Sequence, residues 1–147
     1  MSIKGQAGFT LLEVLLSVTI MAMLVGISMP FYESFVRRND LALATQTVSA
    51  LIRRAETYSR SANSDSGWSV EFQSTTATLF LGNNFAGRNT NYDEAVSLPG
   101  SVTASGLSEV QFAKLTALPN TTGTVTLSST LSETRTVTVN AKGMVDY

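Results

Sequence analysis

The chain has 147 residues, enough for one domain with a modest core. It is 44% hydrophobic and 14% charged, against about 25% charged in an ordinary soluble domain, so part of it is built to avoid water. With no histidine, no cysteine and a net charge of -1, it excludes imidazole and thiolate chemistry, disulfide staples and the strongly basic footprint of a general nucleic-acid binder.

Charge and texture divide the chain. Residues 1–60 carry six Lys and Arg against four Asp and Glu, while residues 61–147 carry four against seven. Serine and threonine number 11 in the first stretch and 26 in the second. The polar run Ser61–Gly67 marks the border between two structural regimes.

In chain order, a short polar leader over residues 1–8 holds a single cation, Lys4. The chain then turns apolar from Phe9, and between Val14 and Tyr32 nineteen residues pass without a charge. That is close to the ~20 residues a helix needs to cross a bilayer core. A secretory signal peptide competes for this segment, but its apolar core is ~7–15 residues long and ends at a small-residue cleavage site. Here the run is longer, has Glu13 near its start and leads into Met29-Pro30-Phe31-Tyr32, so a transmembrane helix over 9–32 is the better reading. Beyond it Leu41, Ala44, Val48, Leu51, Ala55, Tyr58 and Ala62 recur at steps of three and four. This spacing predicts an amphipathic continuation of the helix over 33–62, ending near Ser61.

The remainder, 63–147, reads as a β-rich globular domain. Trp68, Val70 and Phe72 alternate with polar residues, and Ala77–Leu81 ends at the turn signal Gly82-Asn83-Asn84. Val110–Leu115, Thr124–Ser128 and Arg135–Asn140 are three further candidate strands, the last followed by a turn at Lys142-Gly143. Residues 82–109 carry mostly loop signals. The predicted fold class is α+β, one long N-terminal helix packed through its amphipathic half on an antiparallel β-sheet domain.

The run Gly8-Phe9-Thr10-Leu11-Leu12-Glu13-Val14, opening a long apolar helix behind a short leader, resembles the prepilin-type processing and methylation motif. The family is the type IV pilin and type II secretion pseudopilin superfamily, and the resemblance covers Met1 to about Pro30. It implies cleavage after Gly8 by a prepilin peptidase, N-methylation of the new N-terminus Phe9, and a role in assembly for Glu13. Gly26 and Pro30 fall where the family has helix-weakening residues that let the segment unwind in a filament. The strand region, from Trp68-Ser-Val-Glu-Phe72 to Arg135-Thr-Val-Thr-Val139 and Gly143, resembles the GspH/FimT branch of pseudopilins. Some members of the FimT side bind DNA through C-terminal basic residues. Here the end of the chain offers Lys142 against Asp146, and nucleic acid is not expected as a partner.

Physical chemistry supports the assignment for Glu13. A carboxylate in the apolar part of a membrane segment costs roughly 2.5–3.5 kcal/mol on insertion scales and is by default functional. A filament offers it the positive amine of Phe9, its own or a neighbour's, and the alternative is snorkelling to nearby headgroups. The methionines at 21, 23 and 29 read as lipid-facing or packing residues, and Arg37-Arg38 and Arg53-Arg54 as solvated helix faces. Asp93-Glu94 could offer oxygens to calcium, but such a site needs six to eight of them and no compact loop supplies that set. No metal, cofactor or catalytic residue is expected, and the chain is not read as an enzyme.

The expected function is therefore structural: a pilin or pseudopilin subunit of a type IV pilus or type II secretion-like filament. Its expected partners are copies of itself or other pilins, the prepilin peptidase, the cytoplasmic (inner) membrane and its assembly platform. It would be a single-pass membrane protein before assembly and part of an extracellular or periplasmic filament afterwards. The rival class is a minor tip or binding subunit recognising DNA, a surface or a secreted substrate. An exposed aromatic patch near Trp68, Phe80, Phe85 and Tyr92 would favour that rival.

Overall fold

The apolar and amphipathic stretches form one helix because they are rich in Leu, Met and Ala and meet no effective stop before residue 60. In the computed structural model, which describes residues 8–147 (residues 28–30 by backbone only), this helix, α1, spans Leu11–Arg60. Of the leader expected over residues 1–8, all but Gly8 lies outside the described residues. The chain divides into two compact units, one up to Val36 and one from Arg37 to Tyr147.

Within the second unit the helix buries one broad stripe. Leu41, Ala44, Val48, Leu51 and Ala55 are buried as the spacing predicts, and Tyr58 is partly buried against the core. Ile52, which the strict three-and-four pattern leaves out, is also fully buried, because a helix facing a sheet buries a stripe wider than a coiled-coil seam. Thr45 and Ser49 sit on the same face, and each hydroxyl donates to the carbonyl four residues back, at 2.7 and 2.8 Å. The helix stops where Ala62 adopts a left-handed backbone, and the Ser59 hydroxyl accepts the Trp68 N–H at 2.7 Å as the first strand begins.

Eight strands follow: β1 (Trp68–Phe72), β2 (Thr76–Leu81), β3 (Glu94–Ser97), β4 (Val102–Gly106), β5 (Glu109–Gln111), β6 (Gly123–Ser129), β7 (Thr134–Val139) and β8 (Val145–Asp146). They make two four-stranded sheets, ordered β3-β2-β1-β5 and β4-β6-β7-β8, with every neighbouring pair antiparallel. Register aligns Val70 with Leu79 and Val110 in the first sheet, and Val125 with Val137 in the second. These rows join the buried stripe of α1 in a single hydrophobic core. The opposite face of the second sheet is polar: Thr124, Thr126 and Ser128 stand beside Thr138, Thr136 and Thr134.

Two expectations need correction. Residues 82–109, read as loop-rich, lie outside strands over more than half their length but also contain β3 and β4. Their sequences, Glu-Ala-Val-Ser and Val-Thr-Ala-Ser-Gly, hold few β-branched or aromatic residues, and β4 is recruited by pairing with β6 about twenty residues away. The strand expected over 110–115 ends at Gln111, because Leu115 and Ala117 take left-handed backbone and turn the chain, leaving only an isolated bridge between Phe112 and Pro119.

Candidate functional site

The candidate site is the start of α1 and the apolar surface behind it. Gly8, Phe9 and Thr10 precede the helix without regular structure and are exposed. A Cβ built on Gly8 would meet no heavy atom within 4 Å among the described residues. The Gly8–Phe9 bond thus lies in exposed chain without regular structure in front of a helix, a form that a protease can engage.

Thr10 is the N-cap of α1. Its carbonyl accepts from Glu13 N–H at 3.1 Å and from Val14 N–H at 3.2 Å, and its hydroxyl also accepts from Glu13 N–H at 3.2 Å. Thr10-x-x-Glu13 is the sequence pattern of a capping box, and that spacing is the signal in the sequence for the role of Thr10. Glu13 lies in the first turn, where the helix dipole favours negative charge. Its carboxylate is exposed, and among the described residues nothing donates a hydrogen bond to it.

Behind Glu13 the helix is apolar on every side. Leu15, Leu16, Val18, Met21, Leu24 and Val25 are all well exposed, and the most apolar 18-residue window has a mean hydropathy of 2.2 with none of it buried. Ser17 and Thr19 satisfy their hydroxyls internally: Ser17 donates to the Glu13 carbonyl and Thr19 to the Leu15 carbonyl, both at 2.7 Å. Such bonding suits a hydrocarbon environment, where an unpaired donor is costly. The helix includes Gly26 and Pro30. Pro30 has no N–H to give to the Gly26 carbonyl four residues back, so this turn lacks one rung of its ladder. Among the described residues a Cβ at Gly26 would meet no heavy atom within 4 Å.

Elsewhere the candidate residues are occupied structurally. Trp68 and Phe80 are core residues, Trp68 stacking edge-on with Tyr58 at 4.9 Å and Phe80 with Phe85 at 5.4 Å. Of the four aromatics that a recognition patch would use, only Tyr92 is exposed. Asp93 accepts from Arg88 at 2.8 Å, and Glu94 from Arg54 at 2.5 and 2.7 Å. The hydrogen bonds that Arg54 donates to Glu94 first, and then to the Tyr58 hydroxyl, raise its pKa well above the ordinary value. Arg37 and Arg38 are tied to the β6–β7 turn, donating to the Thr130 hydroxyl and, at 3.0 Å, to Glu133. Glu71 and Glu109 are direct cross-strand neighbours on β1 and β5. Burial pushes the Glu71 carboxyl above the usual glutamate range; Glu109 adds to this and Arg88 opposes it.

Comparison with known proteins bears on the first of these regions. Residues 3–29 match the family described as the prokaryotic N-terminal methylation motif. Two proteins of Pseudomonas aeruginosa, each described as a fimbrial protein, are 40% identical to the chain over 53 residues. That alignment covers 36% of this chain and 34% of each relative, so the chain spans about a third of the length of the curated relatives it matches. No solved structure matches the chain.

Proposed function

We propose, from the N-terminal methylation motif and the likeness to fimbrial proteins, that the chain is a member of the type IV pilin superfamily and a structural subunit, a pilin or pseudopilin, of a type IV pilus or type II secretion-like filament. The peptidase cuts between Gly8 and Phe9, and Phe9 becomes the methylated N-terminus. The exposed apolar helix holds the subunit in the cytoplasmic membrane and then forms the filament core with copies or relatives of itself. Glu13 supplies the only charge between Phe9 and Tyr32, and it pairs there with the amine of a Phe9. Gly26 and Pro30 mark the turn that opens when the subunit leaves lipid for the filament. The β-rich part of the chain is then carried on the filament surface, and its strand sequences resemble the GspH/FimT branch of pseudopilins.

One observation carries this reading: a lone carboxylate in the first turn of a helix whose membrane-length first part is otherwise apolar all round, three residues behind its capping Thr10 and four behind Phe9. The test is intact-mass and N-terminal analysis of native protein from sheared surface filaments and, separately, from membranes. A chain beginning at methylated Phe9 is expected in both, dominant in the sheared fraction for a major subunit and scarce there for a minor one. A chain that retains residues before Phe9 in both fractions would overturn the proposal.

A further inference from the structure

The register of the first sheet sets Glu71 of β1 directly opposite Glu109 of β5, and the ladder fixes how closely they approach. Phe72 N–H donates to the Ser108 carbonyl at 2.7 Å, and Phe112 N–H to the Trp68 carbonyl at 3.1 Å. Hydrogen-bonded and non-hydrogen-bonded pairs alternate along an antiparallel ladder, so the Glu71–Glu109 pair takes a non-hydrogen-bonded position. There the Cα atoms stand about 4.5 Å apart, the closer of the two spacings, and both side chains leave the same face of the sheet. Like charges directly opposite each other weaken a pairing.

Among the described residues little on that face offsets the two carboxylates. The β2 residue opposite Glu71 is Thr78, buried and uncharged, and on β5 the Gln111 amide donates to Glu109 at 3.0 Å. The segment after β2 covers the same face, because Phe85 packs on Phe80, the β2 residue opposite Ser69. It brings Arg88 and Asp93, which are held to each other. Arg88 Nε donates to Asp93 at 2.8 Å and Nη1 to the Phe85 carbonyl at 2.6 Å, with the guanidinium 3.5 Å from the Phe85 ring centre. Burial first and Glu109 second hold the Glu71 carboxyl above the usual glutamate range, and Arg88 opposes them without cancelling them.

The pair sits on a strand poorly placed to resist it. β5 is outermost in its sheet and three residues long. Its outward groups bond to the chain that follows: the Thr121 hydroxyl accepts from Gln111 N–H at 3.2 Å and donates to the Glu109 carbonyl at 2.9 Å, and Asn120 N–H donates to the Gln111 carbonyl at 2.8 Å. β5 keeps these bonds when its ladder to β1 parts, which lowers the cost of a local opening short of unfolding.

We propose that the β1–β5 pairing is a pH-responsive latch worked by Glu71 and Glu109. With one proton between them, the carboxyl of one donates to the carboxylate of the other and the ladder is shut. With both ionised, the ladder parts locally and bares the edge of β1 from Ser69 to Glu71, while the second sheet stays folded. The proton is bound more tightly in the closed pair than in the open one. Closure therefore gains as pH falls toward the ordinary glutamate value of about 4.3, and that gain is lost as pH rises through the pair's own titration.

Backbone amide exchange of the full chain in detergent micelles, corrected for the intrinsic rate at each pH, reads this opening. The Phe72 and Phe112 N–H groups are expected to be less protected than the amides of β6 and β7, which marks an opening short of unfolding. From about pH 7.5 to about pH 5 their protection is expected to rise about two- to fivefold. Glu71→Gln should raise their protection at neutral pH and abolish the response. Glu109→Gln should also raise it, and should shrink the response while leaving Glu71 its burial. A flat response in the natural chain overturns the latch, as does protection of Phe72 and Phe112 equal to that of β6 and β7 at every pH. A response that Glu109→Gln leaves unchanged also overturns it, since the effect would then lie in the burial of Glu71 alone.

Discussion

The sharpest test of the assembly segment is Glu13→Gln, because the structure gives Glu13 two separable jobs. Its backbone N–H is capped by Thr10, and its side chain carries the only charge on the apolar part of the helix. Glutamine satisfies the same capping pattern, so the helix start survives the substitution. It also removes an insertion cost of roughly 2.5–3.5 kcal/mol, so the variant enters the membrane at least as readily as the natural chain. What it loses is the partner for a Phe9 amine. Removing one member of a buried ion pair strands the other at a cost of about 3–5 kcal/mol, which corresponds to roughly two to three and a half orders of magnitude in equilibrium incorporation. The assay is the ratio of mature chain in sheared filaments to mature chain in membranes, with N-terminal analysis confirming cleavage in both. Thr10→Val is the control for the capping role: loss of an N-cap costs ~1 kcal/mol, about a fivefold effect at most. Glu13→Gln incorporated at the natural ratio would refute the pairing argument. Equal losses from Glu13→Gln and Thr10→Val would show that the cap, and not the charge, is what assembly requires.

Gly8→Val should leave the described structure unchanged, since a Cβ at Gly8 meets nothing, yet block leader removal at the peptidase; a normally shortened product in a mass spectrum would refute the cleavage assignment. Ile52→Ala empties a fully buried position between α1 and the sheets and should lower the stability of the full chain in detergent by ~2–5 kcal/mol without affecting processing, as read by chemical denaturation and N-terminal analysis. Glu71→Gln tests the Glu71–Glu109 pair. Because the native carboxyl titrates above its unfolded value of about 4.3, its contribution to stability is greatest below that value and is lost as pH rises through the native value. The variant should therefore melt higher at neutral pH and show a flatter rise in melting temperature on acidification; an unchanged pH slope would refute the burial argument.

Much of this molecule is local in origin and so was readable from the chain. The membrane-length apolar run, the lone Glu13 within it and the Gly8-Phe9 junction depend on composition and spacing over a few helical turns, and the three-and-four spacing of Leu41, Ala44 and Val48 marks the buried face before any partner is known. Strands with strong alternation, such as β1 and β7, belong to the same class. The tertiary structure alone decided the rest. Strands β3 and β4 have too little intrinsic preference to declare themselves and exist because β2 and β6 offer them hydrogen-bonding edges. Ile52 is buried because the sheets cover more of the helix than a narrow seam would. Trp68 and Phe80 look the same in a sequence whether they line a recognition patch or fill a core, and only the packing of Tyr58 and Phe85 against them made them core. The facing of Glu71 and Glu109 across β1 and β5, like the tie between Arg38 and Glu133, joins residues far apart in the chain, which no local pattern encodes.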